Sequence, residues 1–454
     1  MSDFFTLRQQ YPEFVYNSYS VTKTNDNLKI KYFFEIKGLE KFSPEWNFPI
    51  TEDIRVPDLL LDNLVFSLGL VELISYWKLT CSPVVRILPH GLTKEMIDWW
   101  KSLYFDGLGE FFYVNGIKTD KDTFMTVIAD GEVLKPNTEK IELSGNLVTV
   151  GGGKDSAVAL SILSDSKSET TPYIINPRGA TTLCCEVAGY NSDKTYTVGR
   201  TLDKNMLELN KKGFLNGHTP FSSIVAFSSI IAALFNGKKY VVLSNESSAN
   251  ESTVLGENVN HQFSKSEEFE KNFIEYQRKY LNHTVEYFSI LRPLSEMQIA
   301  ALFAKYSEFH PVFKSCNVGS KSNIWCCNCP KCLFVYIILS PFLEEKALVD
   351  IFGENLLDKE SLIKTFKELI GVLPNKPFEC VGSRDEVVSA CVRTLEKYEK
   401  ESKKAPKLLE YFKSLEGVSC KGVEYYMSFF DQNHHLPDSF ITKLNSELKR
   451  ITDV

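Results

Sequence analysis

The chain is short of positive charge and of long apolar runs, and each shortage closes off a class of function. Lysine and arginine number 51 against 58 aspartates and glutamates, for a formal net charge of -7 and a pI near 5.7. Proteins that grip DNA or RNA carry a basic face. No such excess occurs here, and no basic stretch interleaved with aromatics, so no nucleic-acid partner is expected. The most apolar runs, 224–235 and 333–343, are too short or too interrupted to cross a bilayer, which takes about 20 apolar residues. No membrane partner is expected either. The N-terminus lacks the basic start and apolar core of a secretory leader, and a cytoplasmic protein is the expectation. Repeats at solenoid or propeller periods and low-complexity tracts are also missing.

What is present is ordinary globular composition with local concentrations of chemistry. Apolar residues make up 43% and charged residues 24% of 454 positions, enough for two or three domains. The pattern predicts an α/β protein in three parts. Residues 1–140 mix strands (28–36, 84–88) with helices (58–76, and 92–104 with Thr93 as N-cap) in an α+β N-terminal domain. Trp46, Trp77, Trp99 and Trp100 read as core or interface residues. Residues 141–345 alternate strand and helix: strands at 147–150, 173–175, 239–243 and 285–291, helices at 156–163, 221–235, 263–279 and 295–306. That alternation implies a central parallel sheet whose ligands sit beyond the strand ends. Residues 346–454 read as mainly helical, with helices at 358–370, 383–398 and 407–415.

Between a predicted strand and a predicted helix stands Gly151-Gly152-Gly153-Lys154-Asp155-Ser156. Glycines let a backbone approach closely and adopt positive φ, and N–H groups at a helix start make an anion site suited to phosphate. The Walker and dinucleotide fingerprints both fail here, because Asp155 follows the lysine and Ser156 fills the third glycine position. The loop instead resembles that of the ATP pyrophosphatases, Ser-Gly-Gly-x-Asp-Ser, with Gly151 in place of the first serine. The resemblance implies that the loop holds the outer phosphates of ATP, that Lys154 and Ser156 contact phosphate oxygens, and that Asp155 helps place Mg²⁺, a hard cation that prefers oxygen ligands. A tight turn with a first-turn charge is the plainer reading of the same residues.

Five of the eleven cysteines fall between 316 and 332. Cys316, Cys326, Cys329 and Cys332 are separated by nine, two and two residues, which suits a closed four-thiolate structural zinc site. An iron–sulfur cluster and a redox disulfide are the rivals. Cys327 is the spare and reads as a buried apolar residue, with a reactive thiol whose pKa the metal lowers as the alternative. His310 reads as a loop residue before Pro311.

Polar clusters stand where substrate contacts are expected. His218 lies beside Thr219, read as an N-cap, and Pro220, read as the first helical residue. Glu246 and Glu251 lie in a polar run after a strand, and Lys265 in a second run after Asn260 and His261. Gly199-Arg200 with Asp203 form a weaker candidate. His218, Glu246, Glu251 and Lys265 are the candidate proton carriers. The Cys184-Cys185 pair reads as two small buried residues, with a thiol acid–base role as the alternative.

Together the loop, segments 213–222, 244–251, 260–266, 294–296, 313–317, 325–334 and 376–382 are similar to the UDP-N-acetylmuramoyl-L-alanyl-L-glutamate epimerases of bacterial peptidoglycan synthesis. The resemblance covers about 145–385. It implies inversion of the terminal L-glutamate of a UDP-linked muramoyl dipeptide to D-glutamate, with ATP and Mg²⁺ consumed through an acyl-adenylate to give AMP and pyrophosphate. The rivals are another adenylating enzyme similar to 7-cyano-7-deazaguanine synthase, which the large N-terminal part and helical extension fit badly, and a zinc-stabilised nucleotide sensor without catalysis.

Overall fold

The computed structural model describes residues 3–50, 55–254, 256, 259–282 and 284–451. They build a mixed α/β protein of many helices and extensive sheet, in two compact units between which the chain passes several times. The first unit comprises 1–147, 196–241 and 258–287, and the second 148–195, 242–257 and 288–454. The expected central segment 141–345 contributes to both.

In the first unit Asn27–Ile36 is the organising strand. Its alternate residues Leu28, Ile30, Tyr32, Phe34 and Ile36 are all buried, as a half-covered sheet requires. It pairs antiparallel with Glu13–Lys23, Glu40–Phe42 and Glu45–Pro49. Glu13–Lys23 pairs parallel with Val84–Ile87, and that strand with Thr126–Ile128. Glu45–Pro49 takes Tyr196–Thr201 on its other edge. The expected strands 28–36 and 84–88 are present. Glu13–Lys23 escaped notice because its second half is mostly exposed and polar, which dilutes the period-two signal.

Helix Asp58–Trp77 packs on this sheet. The Tyr32 hydroxyl donates to the Val65 carbonyl at 2.9 Å, and Gly69 leaves room for the Tyr16 ring, where any Cβ would collide. By length and composition this is the one helix among the described residues apolar enough to cross a membrane, and the sequence reading passed over it. It is a core helix: 89% of its apolar window is buried. Helix Lys94–Gly107 starts as expected, with Thr93 Oγ1 accepting from Met96 N. Trp99 and Trp100 join Phe227, Phe273 and Tyr276 in an aromatic core, and Trp100 Nε1 donates to the Tyr276 hydroxyl at 3.0 Å.

In the second unit the sheet order is Glu286–Ser289, Tyr240–Leu243, Asn146–Thr149, Thr170–Ile175. Three of these strands cross the chain divisions, and their C-terminal halves belong here. Glu286 N bonds Lys239 O at one end and Ile290 N bonds Leu243 O at the other, so that pair runs parallel. Helices Lys154–Ile162 and Glu296–Lys305 follow the first and last strands in sequence. Beyond residue 330 the regular elements of the described chain are helices. Ser383 caps Arg384–Lys400, and Pro330–Leu339 opens with proline at its first position, where the missing N–H costs nothing.

Two local expectations are corrected. The predicted helix 263–279 is three pieces: a 3₁₀ turn Phe263–Lys265, helix Glu267–Tyr276 capped by Ser266, and a π turn Gln277–Leu281. Ser266 is the stronger start, because its hydroxyl accepts from Phe269 N and acids fill the first turn. Thr219 is not a cap. Its hydroxyl accepts from Lys78 Nζ at 2.6 Å, leaving helix Phe221–Phe235 without a side-chain cap.

Glu72 is wholly buried on Asp58–Trp77 and meets Arg200 in a two-pronged pair at 2.8 and 2.9 Å, with Trp46 Nε1 at 3.2 Å. Arg200 is therefore tied to the core rather than offered to a ligand. Asp203 likewise caps helix Lys204–Lys211 and accepts from Ser43 N at 2.7 Å. The weaker binding candidate at 199–203 is thus structural. E72A should lower the stability of the first unit by about 3–5 kcal/mol in urea unfolding, because it strands a buried guanidinium. E72L/R200M should lie closer to the parent, and equal losses for the single and double variants would contradict this account.

Candidate active site

The glycine loop ends strand Asn146–Thr149 and runs straight into helix Lys154–Ile162. Gly152 sits at φ +81°, and a Cβ there would lie 2.8 Å from the backbone of Ala180 and Thr181. Only glycine meets both demands. At Gly153 a Cβ would come within 2.7 Å of Ser315 Oγ, whereas at Gly151 it would meet open space. The Gly152 carbonyl accepts from Lys314 N at 2.9 Å and faces Cys184 Sγ at 3.6 Å. Ser156 braces the loop from within: its hydroxyl accepts from Gly152 N at 3.1 Å and donates to Gly153 O at 3.0 Å. Gly153 is the helix N-cap and brings no side chain, so the first-turn N–H groups have no side-chain cap.

Lys154 turns inward. It is 1% exposed, and its ammonium contacts Asp155 and, at 2.5 Å, Glu296. Burial by itself lowers its pKa, but Asp155 and Glu296 override burial and hold it well above the usual lysine value. Burial pushes the Glu296 carboxyl up, Lys154 pulls it down, and Asp155 and Glu246 push it up again. Glu296 is set by its position in the first turn of Glu296–Lys305, where Ser295 and Gln298 form a reciprocal cap. Its backbone N–H donates to Glu386 Oε1 at 2.8 Å, and Glu386 itself closes the cap of Arg384–Lys400 on Ser383. Burial raises Glu386 as well. Two helix starts and the loop are therefore linked through carboxylates.

The polar run after strand Tyr240–Leu243 supplies Glu246 and Glu251. Glu246 is buried, with Oε1 accepting from Ser248 Oγ at 3.1 Å and its carbonyl from Arg292 Nη1 at 2.7 Å. Glu251 pairs with the buried Lys376 at 2.5 Å and with Arg384, whose Nη1 lies 3.5 Å away. Burial lowers Lys376, and Glu251 opposes the change. Cys184 and Cys185 are both buried on helix Gly179–Val187, and burial pushes each thiol up to about 12. They stay protonated near neutral pH, in keeping with small buried residues.

Cys316, Cys326, Cys329 and Cys332 converge, with Sγ–Sγ distances of 3.9 Å (316–329), 3.8 Å (326–332) and 3.5 Å (329–332). Four sulfurs about 2.3 Å from a tetrahedral ion stand about 3.8 Å apart. The donor set therefore fits zinc, and Gly319 N and Cys326 N both donate to Cys316 Sγ as such thiolates require. Cys327 turns away at φ +55° with its Sγ 3.1 Å from Phe352 O, and stays buried as expected. His310 is half-buried against the Phe303 carbonyl at 3.2 Å, outside this set.

The remaining candidates belong to the first unit. His218 and Lys265 are electrostatic neighbours there, and His218 also lies beside His261 and Glu110. Burial first, then His261, Lys78 and Lys265, push His218 down to about 3, so its imidazole is neutral. Sequence reasoning missed Glu110, Glu296, Lys376 and Glu386 as site residues. Leu294-Ser295-Glu296 and Lys376 lie in segments that carried the family resemblance, but only spacing in three dimensions gives them partners.

Comparison with known proteins adds the family. Residues 5–290 match the MurL N-terminal domain and residues 312–416 the MurL C-terminal domain. A protein of Xanthomonas oryzae pv. oryzae is 36% identical over 329 residues, 70% of this chain and 71% of its own length. One from Salinispora tropica is 34% identical over 70% of each chain, and one from a Micromonospora species 34% identical over 71% of this chain and 72% of its own. All three are named UDP-N-acetyl-alpha-D-muramoyl-L-alanyl-L-glutamate epimerase. No solved structure matches. On two domain matches and relatives aligned over more than two thirds of their length, this chain belongs to the MurL epimerase family.

Proposed function

We propose that the protein inverts the terminal L-glutamate of UDP-N-acetylmuramoyl-L-alanyl-L-glutamate to D-glutamate in cytoplasmic peptidoglycan precursor synthesis, through an acyl-adenylate formed from ATP with release of pyrophosphate and then AMP. The relatives' shared name supports the substrate and the inversion. One observation carries the ATP dependence: a glycine turn, forced by sterics at Gly152, that delivers uncapped helix N–H groups beside a partly exposed Asp155. Such a turn suits the outer phosphates of ATP on a fold of ATP-pyrophosphatase type. Asp155 would hold Mg²⁺, which commonly binds through one or two carboxylates plus phosphate oxygens and offsets phosphate charge when bound.

The chemistry explains why a nucleotide is consumed. A free carboxylate resists loss of its α-proton, since removal would gather two negative charges on one group. Transfer of AMP to the carboxylate, with pyrophosphate leaving, gives a mixed anhydride whose carbonyl can take up enolate charge. A base removes the α-proton, a proton returns on the opposite face, and water releases AMP and the D-glutamyl product. The enolate must be kept from water and given hydrogen-bond donors meanwhile. His218, Glu246, Glu251 and Lys265 are the proton carriers proposed. Lys376 and Arg384 around the one carboxylate of Glu251 leave a net positive charge, which suits holding an anionic substrate. The four-cysteine site takes structural Zn²⁺.

Three outcomes test the reading. In deuterated buffer, label should enter the glutamate α-carbon only when ATP is present, with AMP formed; inversion without AMP would sink the proposal, and nucleotide binding without pyrophosphate release would point to a sensor. G152A should lose at least about 100-fold in AMP formation, a barrier change of about 3 kcal/mol, while G151A keeps activity within a few-fold; equal effects would contradict the loop's role. C329S should lose one zinc per chain by atomic emission and unfold at lower temperature, because structural zinc contributes folding energy, and unchanged metal content would refute the site.

A further inference from the structure

We propose that Glu110, His218 and His261 form a second metal site, separate from the four cysteines, that takes a borderline divalent transition-metal ion such as Zn²⁺, Fe²⁺ or Co²⁺. The site lies wholly within the first unit; a metal there takes His218 out of the set of proton carriers proposed above, and the test below does not read that reaction. One ligand atom from each residue lies within 4.8 Å of the others. Glu110 Oε2 is contacted by His261 Nδ1 and stands 3.4 Å from His218 Nδ1, and the two rings have their centroids 4.5 Å apart. Ligand atoms on neighbouring corners of a tetrahedral ion stand about 3.3 Å apart when bound at about 2.0 Å. Two imidazoles and one carboxylate are a donor set for this class of metal, with at least one position left open.

The three ligands come from three separate segments, and each segment is pinned. Glu110 is on the short helix Gly109–Val114. A Cβ on Gly109 would lie 3.7 Å from Val259, so the His261 segment packs against the start of that helix. Asn260 Oδ1 accepts from Gln262 N at 2.8 Å and fixes the turn that carries His261. The His218 segment is held by Asn115 Nδ2 donating to Asn216 O at 3.1 Å, and Gly217 is packed against Phe111. Lys78 Nζ also grips the Gly217 and His218 carbonyls and the Thr219 hydroxyl. That ammonium is thereby engaged with oxygens other than those of Glu110. Outer contacts of this kind orient first ligands and keep them in place.

The side chains remain 12–20% exposed, which leaves an ion a way in. Lys78 and Lys265, whose positive charges act on His218, disfavour a bare cation and favour an anionic oxygen ligand, carboxylate, phosphate or hydroxide, in the open position.

Cobalt separates this site from the thiolates, because only a sulfur site shows thiolate-to-cobalt charge transfer. The full chain, purified with its zinc and incubated with Co²⁺, should bind one further equivalent that shows ligand-field absorption without sulfur charge transfer. H261N and E110Q should both abolish that equivalent, while C327A leaves it unchanged. Circular dichroism checks that each variant is folded, and H218N serves if E110Q is not. No further equivalent in the parent chain, or an equivalent that survives H261N, would overturn the proposal and leave Glu110 as a carboxylate that only orients two histidines.

Discussion

The second unit depends on a single ammonium group taken out of water. Lys154 is buried beside Asp155 and Glu296, and a charge in that position is tolerated only when its partners are themselves fixed. They are. Glu296 is locked by its own cap and by Glu386, which is locked by Ser383. The residue that follows three glycines is therefore an anchor more than a probe. Its stem goes inward, and that fixes the direction in which helix Lys154–Ile162 leaves the loop. Replacing such a pair by apolar residues can leave stability unchanged, so the arrangement is better explained by the need to place the loop than by any gain in stability.

The cysteine cluster bears on the same loop through covalent continuity. Lys314 N bonds the Gly152 carbonyl, Ser315 Oγ fills the space a side chain on Gly153 would need, and Cys316 follows at once. An ion drawn into the four thiolates would hold 314–316 rigid and so set one wall of the glycine turn. A metal in that site would therefore support the loop as well as the local fold.

The legible parts of the molecule were those whose chemistry is local in sequence. The Gly151–Ser156 turn, the spacing of Cys316, Cys326, Cys329 and Cys332, and the cap at Thr93 are each contained within about twenty residues, and the structure shows a strand-to-helix turn, a four-sulfur cluster and a capped helix at those places. What escaped was pairing at long range. Glu296 lies 142 positions from Lys154, and Glu110 lies 151 from His261. Nothing in a single sequence says that such residues meet. Arg200 and Asp203 misled for the converse reason: polar residues near a strand end resemble a ligand site until Glu72 and Ser43 absorb them. Helix Asp58–Trp77 was found as a helix, but its uniform apolarity, which leaves it buried nearly all round, went unremarked.

The central claim is that the glutamate carboxylate itself receives the adenylyl group, and oxygen isotopes follow that bond directly. Substrate carrying ¹⁸O in the α-carboxylate of its terminal glutamate should pass one labelled oxygen to AMP, since water attacks the acyl carbon when the anhydride is released. AMP free of label, formed at the rate of inversion, would contradict an acyl-adenylate released by attack of water at its acyl carbon.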